Sequence, residues 1–266
     1  MNIEPATHPA VAAEAATLEA VVVEAATLEA VAVVIPAHDE EALLPAALEA
    51  VRTATLHPAL RRLRVLTVVV ADHCRDDTAF LARETGATVV TGNFRNPGRA
   101  RAVGISRALR ELDLPAPRAW IATSDADSEV PPDWLAHQLA RAREGWEAVV
   151  GTVMLPHTSP LADRLRTRYE ATRPPHGEWY HPHVHGANLG VTAQAYLSVG
   201  GFPPLRVGED HALVDALNRA GHRVLTTAAC PVLTSARVRG RARGGFADDL
   251  AALGSHQLEG QQPTMG

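Results

Sequence analysis

The sequence predicts an α/β fold in which one mainly parallel sheet is flanked by helices, and three observations carry that reading. Short β-branched runs alternate with amphipathic segments from Val31 onward, and polar or Gly/Pro turns punctuate the runs. The chain has 266 residues, 46% of them hydrophobic, which is enough to bury one large core. The expected division is an Ala/Glu-rich extension over 1–29, one domain over 30–250 and a tail over 251–266.

The extension contains a near-perfect duplication, EAATLEAVVV over 14–23 and EAATLEAVAV over 24–33. Its composition favours helix, but two copies are too few for a solenoid. It is assigned no catalytic role. Val31 to Pro36 then reads as a buried strand, followed by a helix from about Glu41 to Thr53 whose Leu43, Leu44, Ala47, Leu48 and Val51 share a face. Arg64 to Ala71, Ala87 to Thr91 and Trp120 to Thr123 read as further strands, with helical patterns over 78–85 and 98–112 between them. A later helix follows Gly208-Glu209-Asp210.

Charge and cysteine usage narrow the function. With 25 basic against 30 acidic residues the formal charge is -5, so no overall electrostatic case exists for nucleic-acid binding. Cys74 and Cys230 lie far apart without a CxxC pattern, which argues against a disulfide framework or structural zinc and favours a cytoplasmic location. No apolar run reaches the ~20 residues of a membrane span, and the first thirty residues lack the basic start of a secretory signal. Neither membrane insertion nor export is expected.

In open sheets of this kind, ligands sit beyond the carboxyl ends of the strands. After the first strand comes PAHDEE, over 36–41, and after the second DHCRDD, over 72–77. Helix capping accounts for such acids, since carboxylates there meet free N–H groups. A carboxylate that ends an apolar strand, as Asp72 does, can instead accept hydrogen bonds from a nucleobase imide or a ribose. The fourth strand ends in Ser124-Asp125-Ala126-Asp127-Ser128. Two carboxylates so placed repel each other unless a cation compensates them, and Mg²⁺ or Mn²⁺ takes oxygen ligands of this kind together with substrate phosphates.

Asn96-Pro97-Gly98-Arg99-Ala100-Arg101 opens a helix with two cations, which suits either a solvated basic face or a phosphate. Glu209 and Asp210 read as first-turn acids of their helix or as site carboxylates. His176, His181, His183 and His185 precede Gly186. Among them His185 is the first candidate for an additional metal ligand, although histidines suit Zn²⁺ at least as well as Mg²⁺. Arg237, Arg239, Arg241 and Arg243 alternate near Gly240 and Gly244, either as a solvated tail or as a segment closing over donor phosphates.

Taken together, VVIPAHDEE, VVVADHCRDDT, NPGRARAVG, TSDADSEVPPDWL, GANLGV, GGF and GED resemble, in order and spacing, the family 2 glycosyltransferases of the GT-A fold, over about Val31 to Thr227. The resemblance implies a single GT-A domain that moves a sugar, with inversion, from a UDP- or GDP-type nucleotide diphosphate sugar to an acceptor hydroxyl with the help of Mg²⁺ or Mn²⁺. It implies that Pro36, Ala37, Glu40 and Asp72 border the nucleotide, that Arg99 and Arg101 lie near it, and that Asp125 and Ala126 complete the donor site. Asp127 would coordinate the ion with Asp125, and Asp210 would be the base with Glu209 supporting it. The chain departs from the pattern where His73-Cys74 follow Asp72, where Arg99 stands at a frequent Lys, and where Gly104 stands at a frequent Asn, so base preference stays open.

Two alternatives are a sugar nucleotidyltransferase and a non-catalytic nucleotide-sugar or glycan-binding protein. The first normally carries a Gly-rich basic loop after strand one, where this chain is acidic. Retention of Asp125, Asp127 and Asp210 argues against the second.

Overall fold

The first strand is buried on both faces, and its side chains alternate between two cores. Val31, Val33 and Ile35 enter one hydrophobic cluster, while Ala30, Ala32 and Val34 enter the other. That is why the segment reads as an unbroken apolar run rather than an alternating one. The structure, a computed structural model, describes residues 27–176, 179–240 and 245–255. The first copy of the duplicated decapeptide lies outside them, and the second is described from residue 27 and runs into the first strand.

In chain order the elements are β1 (Ala30–Ala37), α1 (Leu44–Thr55), β2 (Arg64–Asp72), α2 (Thr78–Glu84), β3 (Thr88–Gly92), α3 (Pro97–Leu112), β4 (Ala119–Thr123), β5 (Ser128–Glu129) and α4 (Trp134–Arg143). They continue as β6 (Ala148–Met154), α5 (Ala162–Glu170), β7 (Leu189–Thr192), α6 (Ala193–Ser198), α7 (Glu209–Arg219), β8 (Val224–Thr234) and α8 (Phe246–Ser255). The sheet order is β3-β2-β1-β4-β7-β6-β8-β5. β3, β2, β1 and β4 are parallel, as is the β6–β8 pair, whereas β7 runs antiparallel to both β4 and β6, and β5 antiparallel to β8. A mostly parallel sheet is thus present, with one inner strand reversed.

Helices α1 and α4 supply Leu44, Leu48, Val51, Trp134 and Leu135 to one core. The other receives Ile105 and Ala108 from α3 and Leu213 and Leu217 from α7. The first four strands and first three helices lie within three residues of the expected bounds. The helix expected from Glu41 begins instead at Leu44, with Pro45 in its first turn, where a missing N–H costs nothing.

The second half holds strands that carry weak sequence signals. β7 emerges from GANLGV because Gly190 packs too closely for a side chain: a Cβ there would lie 2.7 Å from Trp120 and closer still to Gln138. β8 contains Pro231, which ordinarily disfavours an inner strand. It falls between Thr227 and Val232, where the register with β6 shifts, so no ladder bond is lost. Helix α8 crosses the expected boundary at 250, burying Leu250 and laying Leu253 against the core, and Arg164 of α5 donates to the carbonyl of Leu253 at 3.1 Å. The packed domain therefore extends to at least Ser255. Among the described residues no helix is long and apolar enough to cross a membrane.

Candidate functional site

A cavity of about 930 Å³ opens at the carboxyl ends of β1, β2 and β4. It is walled on the far side by α5, the 182–187 segment and the start of α7. Pro36, Ala37, Glu40, Asp72, Arg101, Asp125, Ala126, Asp127, His185, Glu209 and Asp210 all line it. Arg99 does not. Its guanidinium lies 5.2 Å from the centre of the Phe94 ring, and Arg95 lines the cavity instead. The expected pairing of Arg99 with Arg101 at the nucleotide is corrected accordingly: residues two apart on a helix point about 200° apart, so one cavity receives only one of them.

Asp72 ends β2, and its carboxylate accepts the backbone N–H groups of Phe94 (2.6 Å), Arg95 (3.0 Å) and Asn96 (3.1 Å). It pins the loop that leads from β3 into α3. Asn96 then caps α3, accepting the Arg99 N–H at 2.8 Å. The Asp72 side chain thus shapes the β2 end of the cavity through its neighbours. Asp76 is a cap, its carboxylate accepting the Thr78 N–H at 3.1 Å.

Arg101 reaches from α3 beneath the cavity floor and is 4% exposed. One Nη bonds Asp125 and the other bonds Glu209. Burial works against its charge, but Asp125, Glu209 and Asp210 more than offset that and raise its pKa. With both Nη atoms held by carboxylates, this guanidinium is a scaffold between the strand-four acids and the start of α7. Gly186 makes room for it, since a Cβ at that position would come within 2.5 Å of Arg101 Nη2.

Asp127 meets a different cation. Arg237, following β8, contacts the Asp127 carboxylate at 2.9 Å and grips both oxygens of Glu40 at 2.7 and 3.0 Å. Burial and the neighbouring charge of Asp125 push Asp127 up to about 6, against the opposing charge of Arg237. Arg237 is the site residue that the sequence reading left undecided. Arg241 and Arg243 lie outside the described residues.

Asp210, in the first turn of α7, is held on both oxygens. Oδ2 accepts the Gly186 N–H at 2.8 Å, and Oδ1 accepts the His211 N–H at 2.8 Å and faces His211 Nδ1 at 3.1 Å. Burial alone would raise this carboxyl, but the bonds from His211 and the charge of Arg101 bring it down to about 2. Next to it, Glu209 is raised by burial, with Arg101 opposing. The first turn of α7 thus holds two carboxylates in opposite electrostatic states.

His185 is half-buried. Its Nε2 lies 2.8 Å from the Tyr169 hydroxyl, its ring sits edge-on to Phe246, and burial pushes its pKa down to about 3. Among the described residues, the single grouping of three His, Cys, Asp or Glu side chains with ligand atoms mutually within 4.8 Å is Asp39, Cys74 and Asp76. His185, Asp125 and Asp127 line the same cavity without forming such a group.

A family profile described as Glycosyl transferase family 2 matches residues 32–195. No curated protein sequence gives a significant match. Solved structures similar to this chain include Staphylococcus aureus TarS 1–349 in complex with UDP-GlcNAc, at 14% identity and TM-score 0.61, covering 84% of this chain and 64% of that one. Mannosyltransferase PcManGT from Pyrobaculum calidifontis, in complex with GDP-Man and Mn²⁺, matches at 22% identity and TM-score 0.56, covering 79% and 58%. Glucosyl-3-phosphoglycerate synthase from Mycobacterium tuberculosis, in complex with phosphoglyceric acid, matches at 20% identity and TM-score 0.52, covering 85% and 76%. Against the longer S. aureus TarS structure, this chain spans 36% of the length. These likenesses establish the fold.

Proposed function

Because the chain belongs to glycosyl transferase family 2, we propose that it transfers a sugar, with inversion, from a UDP- or GDP-type nucleotide diphosphate sugar to an acceptor hydroxyl, using Asp210 as general base. The observation that carries this reading is the Arg101 bridge. It ties Asp125, at the end of β4, to Glu209, next to Asp210, so the strand-four acids and the base face one cavity at fixed separation.

The acids at the end of β4 fit a divalent cation. Asp125 and Asp127, with Glu40 from beyond β1, offer oxygen only, and burial followed by the charge of Asp125 raises Asp127 even beside Arg237. Asp127, with Asp125, would hold Mg²⁺ or Mn²⁺, which when bound supplies Lewis-acid stabilisation to the departing diphosphate. PcManGT was solved with GDP-Man and Mn²⁺, which supports a donor and ion of these classes.

The chain's own groups do the rest. Asp210, charged at neutral pH, takes the proton from the acceptor hydroxyl as that oxygen attacks the anomeric carbon. Its bonds to Gly186 and His211 fix the direction of the carboxylate, so no reorientation is needed at the moment of transfer. Attack from the side opposite the diphosphate inverts the anomeric centre. Cys74 and Cys230 are free thiols, which suits the reducing cytoplasm.

A thermal-shift screen of UDP, GDP, ADP and CDP with Mg²⁺ and Mn²⁺ tests the donor side, because a selective ligand stabilises the folded state by mass action. Selective stabilisation by one nucleoside diphosphate with one ion is the expected result. No shift with any pairing would remove the donor reading.

A further inference from the structure

The far wall of the cavity carries more positive charge than its own carboxylates use. On and just after α5, Arg166 pairs with Asp163 at 2.8 Å, Arg173 with Glu170 at 2.6 Å, and Arg164 donates to the carbonyls of Leu253 and Gly254. Arg168, between them, lines the cavity and makes no ion pair or hydrogen bond among the described residues. Arg206, in the loop leading to α7, also lines the cavity and makes none among them. His211 stands beside Asp210 with its ring 58% exposed, and that carboxylate raises its pKa.

His183 completes the cluster. Its ring lies 4.3 Å from that of Tyr169, the residue after Arg168, and its Nε2 lies 3.3 Å from the Thr172 hydroxyl. After burial, the charges of His181, Arg168 and His211 disfavour its protonation, so these groups share one positive field. The carboxylates on this wall are Glu209, held by Arg101, Asp210, held by Gly186 and His211, and Asp249, exposed on α8. Two unpaired guanidinium groups and an imidazole at the base's side form a receptor for an anion.

We propose that the acceptor carries an anionic group, a phosphate or a carboxylate, close to its reacting hydroxyl, and that Arg168, Arg206 and His211 bind that group while Asp210 takes the hydroxyl proton. This rests on the glycosyl-transfer reading and adds the substrate class. At the β4 end the arginines Arg101 and Arg237 are held by carboxylates, whereas Arg168 and Arg206, beyond the base, are not, and a neutral polyol would gain nothing from them.

The test separates the two halves of the cavity. The full chain is first titrated calorimetrically with UDP and GDP in the presence of Mn²⁺, which reports on the donor reading alone. Inorganic phosphate is then titrated with and without saturating nucleotide, with sodium chloride as the ionic-strength control. Saturable phosphate binding that persists with the donor half filled is expected, weakened at least tenfold by the Arg168→Ala, Arg206→Ala double variant while nucleotide affinity stays unchanged. Phosphate heats matching chloride, or a double variant that binds phosphate as well as the parent, would overturn the proposal whatever the nucleotide does. Glycerol 3-phosphate and geranyl phosphate then identify the source: tighter binding of the first indicates a soluble acceptor and of the second a lipid-borne one. Binding of neither above the level of glycerol also overturns it.

Discussion

Arg237 holds Asp127 at 2.9 Å while its guanidinium spans both oxygens of Glu40, so a side chain arriving from beyond β8 neutralises the same carboxylate that is proposed to bind a divalent cation. The two positive charges compete for one oxygen pair. In the nucleotide-free protein, Arg237→Gln should therefore tighten Mn²⁺ binding several-fold, measured by calorimetry. Unchanged affinity would mean that ion and guanidinium do not share Asp127.

Removal of the base is expected to separate rate from binding. General-base catalysis contributes ~10²–10⁴-fold, so Asp210→Asn should lower kcat by that order while the donor dissociation constant moves less than threefold. Glycosyl transfer by the variant at near-parental rate would exclude Asp210 as the proton acceptor.

The same residue predicts a pH dependence of stability. Its folded-state pKa of about 2 lies below the ordinary aspartate value of 3.8. The stabilisation is present above the unfolded value and is lost as pH falls through about 2. The stability difference between parent and Asp210→Asn, on the order of 2 kcal/mol, should hold from neutral pH down to about pH 5 and shrink below pH 4. Urea unfolding at a series of pH values measures it, and a difference constant down to pH 2.5 would contradict the assignment.

Arg101 is expected to matter more for folding than its position near a ligand suggests. Arg101→Met would leave the buried Glu209 and the partly exposed Asp125 without their counter-charge. Breaking a buried pair by removing one partner costs about 3–5 kcal/mol. Denaturant unfolding should show a loss of that size, with Arg101→Lys recovering only part of it because an ammonium cannot present two separate donors along one plane.

How much of this site could be read from the chain depended on which contacts were local. Asp125, Asp127 and Asp210 were identifiable because strand ends and helix starts carry their own signals, and all three line the cavity. The 3.6-residue period already implied that Arg99 and Arg101 would diverge. Arg237 could not be resolved between two roles, because its partners Glu40 and Asp127 are brought to it only by the completed sheet. The surroundings of His185 were hidden for the same reason: Tyr169 and Phe246, which pack against it, come from segments whose helices the pattern did not reveal. Strands β7 and β8 escaped notice because a close-packed glycine and a bulge-sited proline are tolerated only where particular neighbours permit them.

The reversal of β7 has a consequence for how such a protein diversifies. Thr123, the last residue of β4, lies opposite Leu189, the first of β7, and its hydroxyl donates to the Gly186 carbonyl at 2.7 Å. Chain entering β7 must therefore cross the mouth of the cleft before it joins the sheet. Tyr180 and Pro182 are exposed there and can change character without disturbing the strands, while His181 and Val184 are buried and fixed by their packing. Selection can thus revise that wall of the cleft while leaving untouched the strand ends proposed to hold the donor.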